Sequence, residues 1–171
     1  MRVKTLRPFI VMGICAALTA IVRLTWAAIG VPLIVNLTPS EPRGVYRIEK
    51  RSAYTRGSIV VFPVPETFAE LVTSRGWLGP DVPLIKAIGA VPGDRVCVSD
   101  DRVEVNESIV GPVYAADSEG RALPTIRGCQ MVGEAEFWPL SSYAAKSFDG
   151  RYMGPVRTTA IVGEAIPVWT F

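Results

Sequence analysis

The sequence predicts a mainly β domain of short strands with one inserted helix, preceded by an N-terminal transmembrane helix. Apolar runs of strand length recur along the chain between Gly, Pro and Asp residues, which are typical of turns. One segment has helical periodicity, and the longest apolar run lies near the N-terminus. A chain of 171 residues accommodates one domain and such a segment, since single domains typically contain ~100–150 residues.

The N-terminal segment combines a basic flank with an apolar run. Residues 1–7 carry three basic side chains, and the following apolar run begins at Pro8. About 20 apolar residues span a bilayer, so the helix can extend to residue 28 if the Arg23 side chain reaches the far interface. The basic end then stays in the cytoplasm. We therefore predict a cytoplasmic tail (1–7), a single-pass anchor in a bacterial inner membrane (8–28) and a periplasmic domain (31–171).

The N-terminal segment has two alternative interpretations, a cleaved signal peptide and a buried helix. A cleaved signal peptide needs small residues at positions −3 and −1 of a cleavage point that lies soon after the apolar run. The best candidate, Ala28-Ile29-Gly30, lies far from the end of that run at Val22, so an uncleaved anchor is favoured. A buried helix of a soluble protein is disfavoured because the flank is basic.

Short strands are expected through the rest of the chain. The run from Ile59 to Phe62 is fully apolar and is stopped by Pro63, which indicates a buried central strand. Alternating apolar residues on both sides of Ser99-Asp100-Asp101 indicate a hairpin. The expected strands are 31–35, 45–48, 59–62, 83–91, 95–98, 102–105, 109–114, 135–138 and 160–168.

The inserted helix is expected within residues 66–79. Phe68, Leu71 and Val72 are spaced i, i+3 and i+4 and form one apolar face, and Gly76 is a natural stop. Such a helix packs on the core, or it acts as a lid or membrane-dipping element beside a site. The sequence leaves both interpretations open.

Composition excludes several classes of function. The chain has no His, which removes the usual base of serine and cysteine hydrolases and the commonest metal ligand. Its three Cys, at positions 15, 97 and 129, lack zinc-type spacing. Charges are spread without a basic block, so nothing indicates nucleic acid. We expect no cofactor, no metal and no nucleic-acid partner.

Two of the cysteines fall in the polar part of the chain. Cys97 and Cys129 can pair if that part is extracytoplasmic, where disulfides persist. The sequence gives no distance between them, so a disulfide remains open.

A serine in a turn is the candidate nucleophile. Ser40 lies between Pro39 and Pro42, a few residues beyond the apolar segment, where its hydroxyl can reach a membrane-held substrate. Without His, its base must be a lysine or a carboxylate. Lys86 is the only charged residue within 82–93, a segment predicted to be a buried strand. Burial lowers the pKa of a lysine because it destabilises the ammonium form, so Lys86 can act as a base near pH 7.

These residues lie in four motifs that together resemble the serine–lysine signal peptidase family. The closest resemblance is to its conjugative-transfer branch, the TraF-type pilin-maturation peptidases, whose N-x-T-x-S-x-P-x-G-x-Y run is matched from Asn36 to Tyr46. The motifs occur in the family's order and cover nearly the whole chain. They are the nucleophile motif TPSEP (38–42), the groove strand RGSIVVF (56–62), the lysine motif LIKAIGAVPGD (84–94) and the last motif SFDGRYMGPV (147–156).

The resemblance implies the catalytic groups. Ser40 is the expected nucleophile, and the amine of Lys86 is expected to take its proton and to pass it to the leaving amine. The expected oxyanion donors are the Ser40 N–H and the Thr38 hydroxyl, since Pro39 has no N–H.

The last motif supplies supporting residues. Ser147 matches the hydroxyl that orients the lysine, and Asp149 and Arg151 match a pair that braces the site. For Arg151 a purely structural salt bridge is the alternative. Two positions depart from the housekeeping signal peptidases, which usually have Met at the position of Glu41 and Ser at the position of Gly150.

The resemblance also implies a reaction. We expect a membrane-anchored serine endopeptidase that processes an exported precursor, and we expect this precursor to be a pilin of a conjugation or type IV secretion system. Members of this branch can join the new C-terminal acyl group to the substrate's own amino terminus, so hydrolysis and cyclisation remain open. The alternatives are a general type I signal peptidase and a non-catalytic, membrane-anchored assembly subunit of the conjugation apparatus.

Overall fold

The computed structural model describes residues 11–21, 30 and 32–171. In this part of the chain, eleven strands form two antiparallel sheets, so the mainly β prediction is confirmed. The strands are β1 (Leu33–Asn36), β2 (Gly44–Glu49), β3 (Ile59–Phe62), β4 (Leu84–Ala90), β5 (Arg95–Val98), β6 (Arg102–Val105), β7 (Ser108–Pro112), β8 (Gly128–Met131), β9 (Glu136–Pro139), β10 (Val156–Arg157) and β11 (Gly163–Thr170).

The larger sheet has seven strands in the order β1-β2-β11-β3-β4-β9-β10. Its centre is apolar, because Val60, Val61 and Phe62 of β3 are buried, as expected of a run without polar residues. Strand β11 returns to lie between β2 and β3, which places the β1–β2 hairpin at one edge. The turn of that hairpin carries Ser40, and the neighbour of β3 on the other side, β4, carries Lys86.

The smaller sheet has four strands in the order β7-β6-β5-β8. Strands β5 and β6 alternate as predicted, with their valines buried and the residues between them more exposed. These valines pack against Trp138 and Leu140, which link the two sheets in one apolar cluster. Cys97 and Cys129 lie opposite each other on β5 and β8 and form a disulfide, which answers the question that the sequence left open.

The predicted helix is present as α1 (Glu66–Ser74). Val72 is buried, and Phe68 packs against the apolar cluster that contains Phe62 and Met153. The rings of Phe68 and Phe148 also make a T-shaped contact, with 5.8 Å between their centroids. The structure therefore supports the core-packing interpretation of this helix.

The structure also contains elements that the sequence did not predict. They are β8, β10, a single helical turn α2 (Gly150–Met153) and a 3-10 turn (Thr158–Ala160). All four residues of β8 are exposed, so no alternation marks it, and β10 has only two residues. The 3-10 turn occupies the start of the strand predicted at 160–168, which begins at Gly163 instead.

The N-terminal segment is described only in part. Residues 11–21 are helical. The predicted tail (1–7) and the parts of the predicted anchor at 8–10 and 22–28 lie outside the described residues. Among the described residues, no helix is both long and apolar enough to cross a membrane, so the anchor stays a prediction. Residues 33–171 form a compact unit by themselves.

Candidate active site

The turn that carries Ser40 is shaped by the side chain of Asn36, the last residue of β1. This side chain is buried, and its Oδ1 accepts hydrogen bonds from the Thr38 N–H (3.1 Å) and the Thr38 hydroxyl (2.8 Å). Its Nδ2 donates to the carbonyl oxygens of Glu41 (3.0 Å) and Pro42 (3.1 Å). An Asn side chain that bonds backbone two residues ahead stabilises a turn locally. Asn36 therefore fixes both arms of the turn around Ser40.

Ser40 lies in this turn. It is half-buried, and its Oγ lies 3.1 Å from the Thr38 Oγ1. The carbonyl oxygen of Ser40 accepts a hydrogen bond from the Ser141 hydroxyl. Within the described part of the chain, the Ser40 N–H has no hydrogen-bond acceptor. This N–H and the Thr38 hydroxyl thus lie on the same turn as the candidate nucleophile.

Lys86 lies in the middle of β4, as the sequence predicts, and is only 3% exposed. It pairs with Val60 of β3, and its Nζ donates a hydrogen bond of 2.9 Å to the Ser147 hydroxyl. Burial lowers the pKa of Lys86 to about 8, and the charge of Arg151 acts in the same direction. The charges of Asp149 and Glu41 oppose this shift because they stabilise the ammonium form.

Asp149 and Arg151, which follow Ser147 in the chain, form a buried ion pair. They are 0% and 1% exposed, and both oxygens of Asp149 accept hydrogen bonds from the guanidinium, at 2.9 and 2.7 Å. Asp149 is also the N-cap of α2, since its side chain accepts a hydrogen bond from the Arg151 N–H, and it accepts another from the Ser141 N–H. The remaining donors of Arg151 bind the carbonyl oxygens of Pro112, Ser141, Ala144 and Ala145.

The ion pair therefore fixes the loop that carries Ser141 and Ser147. The Arg151 side chain donates only to Asp149 and backbone carbonyls, and within the described residues it has no bond to Ser40 or Lys86. The interpretation of Arg151 as a structural partner of Asp149 matches these contacts. It also has a clear energetic reason, because a buried carboxylate without its partner is strongly destabilising.

The two candidate catalytic segments are joined through the neighbours of Ser40 and Lys86. Glu41, which is 4% exposed, accepts a hydrogen bond of 3.1 Å from the Ala87 N–H through its Oε1. Among the described residues, Ser40 Oγ and Lys86 Nζ have no direct hydrogen bond to each other. The structure thus places the Ser40 turn against the Lys86 strand, while the Lys86 amine is hydrogen-bonded to Ser147.

Three polar residues of this site were missed or unexplained at the level of sequence. Asn36, Glu41 and Ser141 are all buried, and each binds the backbone of the turn or of β4. Asn36 could have been identified from the sequence, because it is a polar residue at the end of an apolar strand. Nothing local distinguishes Ser141 from its neighbour Ser142, which is exposed.

The arrangement suits acyl transfer. It contains a hydroxyl nucleophile, a buried amine with a lowered pKa and two hydrogen-bond donors on one turn. Among the described residues, no group of three or more His, Cys, Asp or Glu side chains could hold a metal ion.

The chain matches one family model and is similar to named proteins in sequence and in structure. The family model "Signal peptidase, peptidase S26" matches residues 4–170. A protein named conjugal transfer protein TraF from Agrobacterium fabrum is 40% identical over 147 residues, which cover 80% of this chain and 82% of that protein. A plasmid transfer protein TraF from Escherichia coli is 32% identical over 181 residues and covers 99% of both chains. A solved signal peptidase I from Enterococcus faecalis aligns with a TM-score of 0.39 and 20% identity, over 68% of this chain and 98% of that one.

Proposed function

The chain belongs to the signal peptidase family, peptidase S26, and on this premise we propose that it is a membrane-associated serine endopeptidase with a Ser40–Lys86 dyad. The observation that carries the proposal is the buried Lys86, whose lowered pKa of about 8 makes the neutral amine accessible near physiological pH. The Glu41–Ala87 hydrogen bond supports it, because it ties the nucleophile's turn to the lysine's strand.

In the first half of the reaction, neutral Lys86 takes the Ser40 proton while Ser40 Oγ attacks the scissile carbonyl carbon. The carbonyl oxygen becomes an oxyanion, and the ammonium of Lys86 then gives its proton to the leaving amine as the C–N bond breaks. The products of this half are an ester on Ser40 and a free amine. Ser147 supports the step, because its hydroxyl lies 2.9 Å from Lys86 Nζ and holds the amine in place.

The oxyanion is held by the Ser40 N–H and the Thr38 hydroxyl. The hydroxyl of Thr38 donates to Asn36 Oδ1 in this structure, and it reaches the oxyanion by rotation about the Cβ–Oγ1 bond. Asn36 remains bonded to the Thr38 N–H, so the turn keeps its shape during this rotation. Donors placed where charge develops contribute more than donors that bind the ground state.

In the second half, a nucleophile takes the acyl group from Ser40. Water gives a new carboxylate, whereas the amino terminus of the same substrate gives an amide bond and a cyclic product. In both cases Lys86 takes a proton from the attacking group, and that proton returns to Ser40. The acyl-enzyme serves either outcome.

The substrate is an exported precursor held at a membrane, and we assign it to the pilin of a conjugation apparatus. The names of the relatives, which are conjugal or plasmid transfer proteins, support this context. Exposed apolar side chains near the Ser40 turn support a membrane surface: Leu37 is 69% exposed, Trp169 63% and Phe171 66%. Phe171 lies beside this turn, since its N–H donates to the Arg43 carbonyl oxygen at 2.9 Å.

Processing of a co-expressed pilin precursor tests this function. The wild type is expected to shorten the precursor, and Ser40→Ala and Lys86→Ala are expected to leave it intact at equal expression. Normal processing by both variants would refute the dyad. Cleavage of many exported precursors besides the pilin would favour the general signal peptidase, and no cleavage of any precursor by wild type would favour the assembly subunit.

The mass of the mature pilin separates the two fates of the acyl group. A cyclic product is lighter than the linear one by one water molecule. N-terminal sequencing of the peptidase itself tests the anchor: a start at Met1 or Arg2 supports it, and a start near Val31 supports a cleaved signal peptide.

A further inference from the structure

Glu41 is a buried acid directly after the candidate nucleophile, and neither half of the reaction above uses its carboxyl group. Only 4% of it is exposed, although burial of a carboxylate is costly unless hydrogen bonds or charges compensate. This cost appears in its pKa, which burial raises above the ordinary value. The contacts of the Glu41 carboxylate therefore indicate what it does.

The carboxylate binds the strand that carries the lysine. Oε1 accepts a hydrogen bond of 3.1 Å from the Ala87 N–H, immediately after Lys86. The carbonyl oxygen of Ala87 accepts a hydrogen bond from the Leu140 N–H. Leu140 directly follows Pro139, the last residue of β9. Glu41 thus supplies a side-chain acceptor for a backbone donor of β4, and this contact is separate from the hydrogen bond between Lys86 and Ser147.

The backbone of the turn is held from two other directions. The Asn36 side chain binds the Glu41 carbonyl oxygen, and the Ser141 hydroxyl binds the Ser40 carbonyl oxygen. These contacts fix the turn to β1 and to the loop after β9, but neither reaches β4. Of these three contacts, only the Glu41 carboxylate joins the Ser40 turn to the Lys86 strand.

From this geometry we propose that Glu41 is a positioning residue whose carboxylate holds the Ser40 turn against the Lys86 strand. The inference rests on the proposed function for its effect on catalysis, but the hydrogen bond to Ala87 can be tested without it. The Lys86 amine has three charged groups around it: Glu41 and Asp149, which favour the ammonium form, and Arg151, which opposes it. Glu41 itself has Lys86 and Asp149 as charged neighbours, and the Ser141 hydroxyl lies within hydrogen-bonding range of its carboxylate. Burial raises the pKa of Tyr46, and the charge of Glu41 adds to this shift.

Two substitutions separate the hydrogen bond from the charge. Glu41→Gln keeps an acceptor oxygen and removes the charge, whereas Glu41→Met has a similar length and removes both. Glu134→Met, at an exposed position, is the matched control for the loss of a glutamate. Full-length proteins in detergent are compared, and their thermal unfolding shows whether each variant is folded.

The first readout is hydrogen–deuterium exchange of the Ala87 amide, which does not depend on activity. Glu41→Met is expected to exchange at least about tenfold faster than wild type at this amide, because a lost acceptor exposes the donor. Glu41→Gln and Glu134→Met are expected to exchange like wild type. Unchanged exchange in Glu41→Met would overturn the proposal, whether or not the protein proves to be a peptidase.

The second readout is the kinetics of cleavage of a soluble peptide. Glu41→Met is expected to lower kcat about tenfold with KM within about twofold of wild type, since a misplaced nucleophile affects the reaction more than binding. Glu41→Gln is expected to keep kcat within about threefold and to move the acidic limb of the pH profile to lower pH, because the ammonium form of Lys86 loses a favourable charge. An acidic limb that stays in place, or moves to higher pH, would contradict the position of Glu41 beside the lysine.

The two proposals fail differently. If wild type does not cleave, the peptidase assignment is wrong, and the exchange of Ala87 still decides the role of Glu41. If wild type cleaves and Glu41→Met is as active as wild type at every pH, the peptidase assignment stands and the positioning role is refuted.

Discussion

If Ser40 and Lys86 form the proposed dyad, the burial of Lys86 determines how peptide cleavage depends on pH. Its pKa of about 8 means that about one-tenth of the molecules carry the neutral amine at pH 7 and about nine-tenths at pH 9. Because only the neutral amine can accept the Ser40 proton, kcat/KM is expected to rise about tenfold over this interval and then to level off. A solvated lysine, with a pKa of ~10.4, would instead give a rise of about a hundredfold without levelling below pH 10.

The assay is the cleavage of a soluble peptide that spans the precursor's processing site and lacks groups that titrate between pH 6 and 10. Ser40→Ala gives the background rate, and circular dichroism at each pH confirms that the enzyme is folded. Lys146→Met is the matched control, because Lys146 is exposed and its loss is expected to leave the profile unchanged. A flat profile up to pH 9, or a rise that continues beyond pH 10, would refute the depressed pKa as the basis of catalysis.

Three further predictions concern the Thr38 hydroxyl as oxyanion donor, the effect of Lys86 on stability and the Asp149–Arg151 ion pair. Thr38→Val is expected to lower kcat about a hundredfold, since one preorganised donor contributes on this scale, whereas Thr38→Ser is expected to keep most of the wild-type kcat. Equal losses of kcat in peptide cleavage by the two variants would contradict the role of the hydroxyl. Lys86→Met is expected to be inactive but more stable at pH 7, by up to about 3 kcal/mol, because the lysine's pKa lies near 8 in the folded protein and near 10.5 in the unfolded one. Between these two pKa values the unfolded state binds more protons than the folded state, so the wild type gains stability as pH rises from about 8 to about 10.5. Above that pH the difference in stability between the variant and the wild type vanishes. A variant that is less stable than wild type at pH 7 in urea unfolding would contradict the destabilising effect of the buried ammonium. Arg151→Met is expected to cost about 3 to 5 kcal/mol of unfolding free energy because it leaves Asp149 charged and unpaired in the interior, and a loss below about 1 kcal/mol by the same measurement would show that the ion pair does not brace the loop.

The sequence predicted the elements with strong local patterns. The apolar run at β3 and the alternating valines of β5 and β6 match the structure, because burial on one or both faces dictates the residue pattern directly. Strand β8 was missed because all its residues are exposed, and its place in the sheet comes from pairing with β5 and from the Cys97–Cys129 disulfide. Pairing across the chain leaves no local signal in such a strand.

The candidate site was predictable where single residues stand out chemically. Lys86 is the only charge in an apolar strand, and its burial and lowered pKa match the expectation. The resemblance to a family supplied Ser147 and Asp149, whose positions far along the chain give no hint of contact with β4. Glu41 was beyond the reach of sequence, because its role depends on the Ala87 N–H, a backbone group that every sequence contains.

The formation of an acyl-enzyme tests the pairing of Ser40 with Lys86 most directly. Full-length protein in detergent is mixed with a peptide ester of the acyl-side sequence, quenched in acid and digested for mass spectrometry. We expect an acyl adduct on Ser40 in wild type, none in Ser40→Ala, and a strongly reduced amount in Lys86→Ala. Hydrolysis of the ester by wild type without an adduct on Ser40, or an adduct of wild-type amount in Lys86→Ala, would contradict the pairing of Ser40 with Lys86.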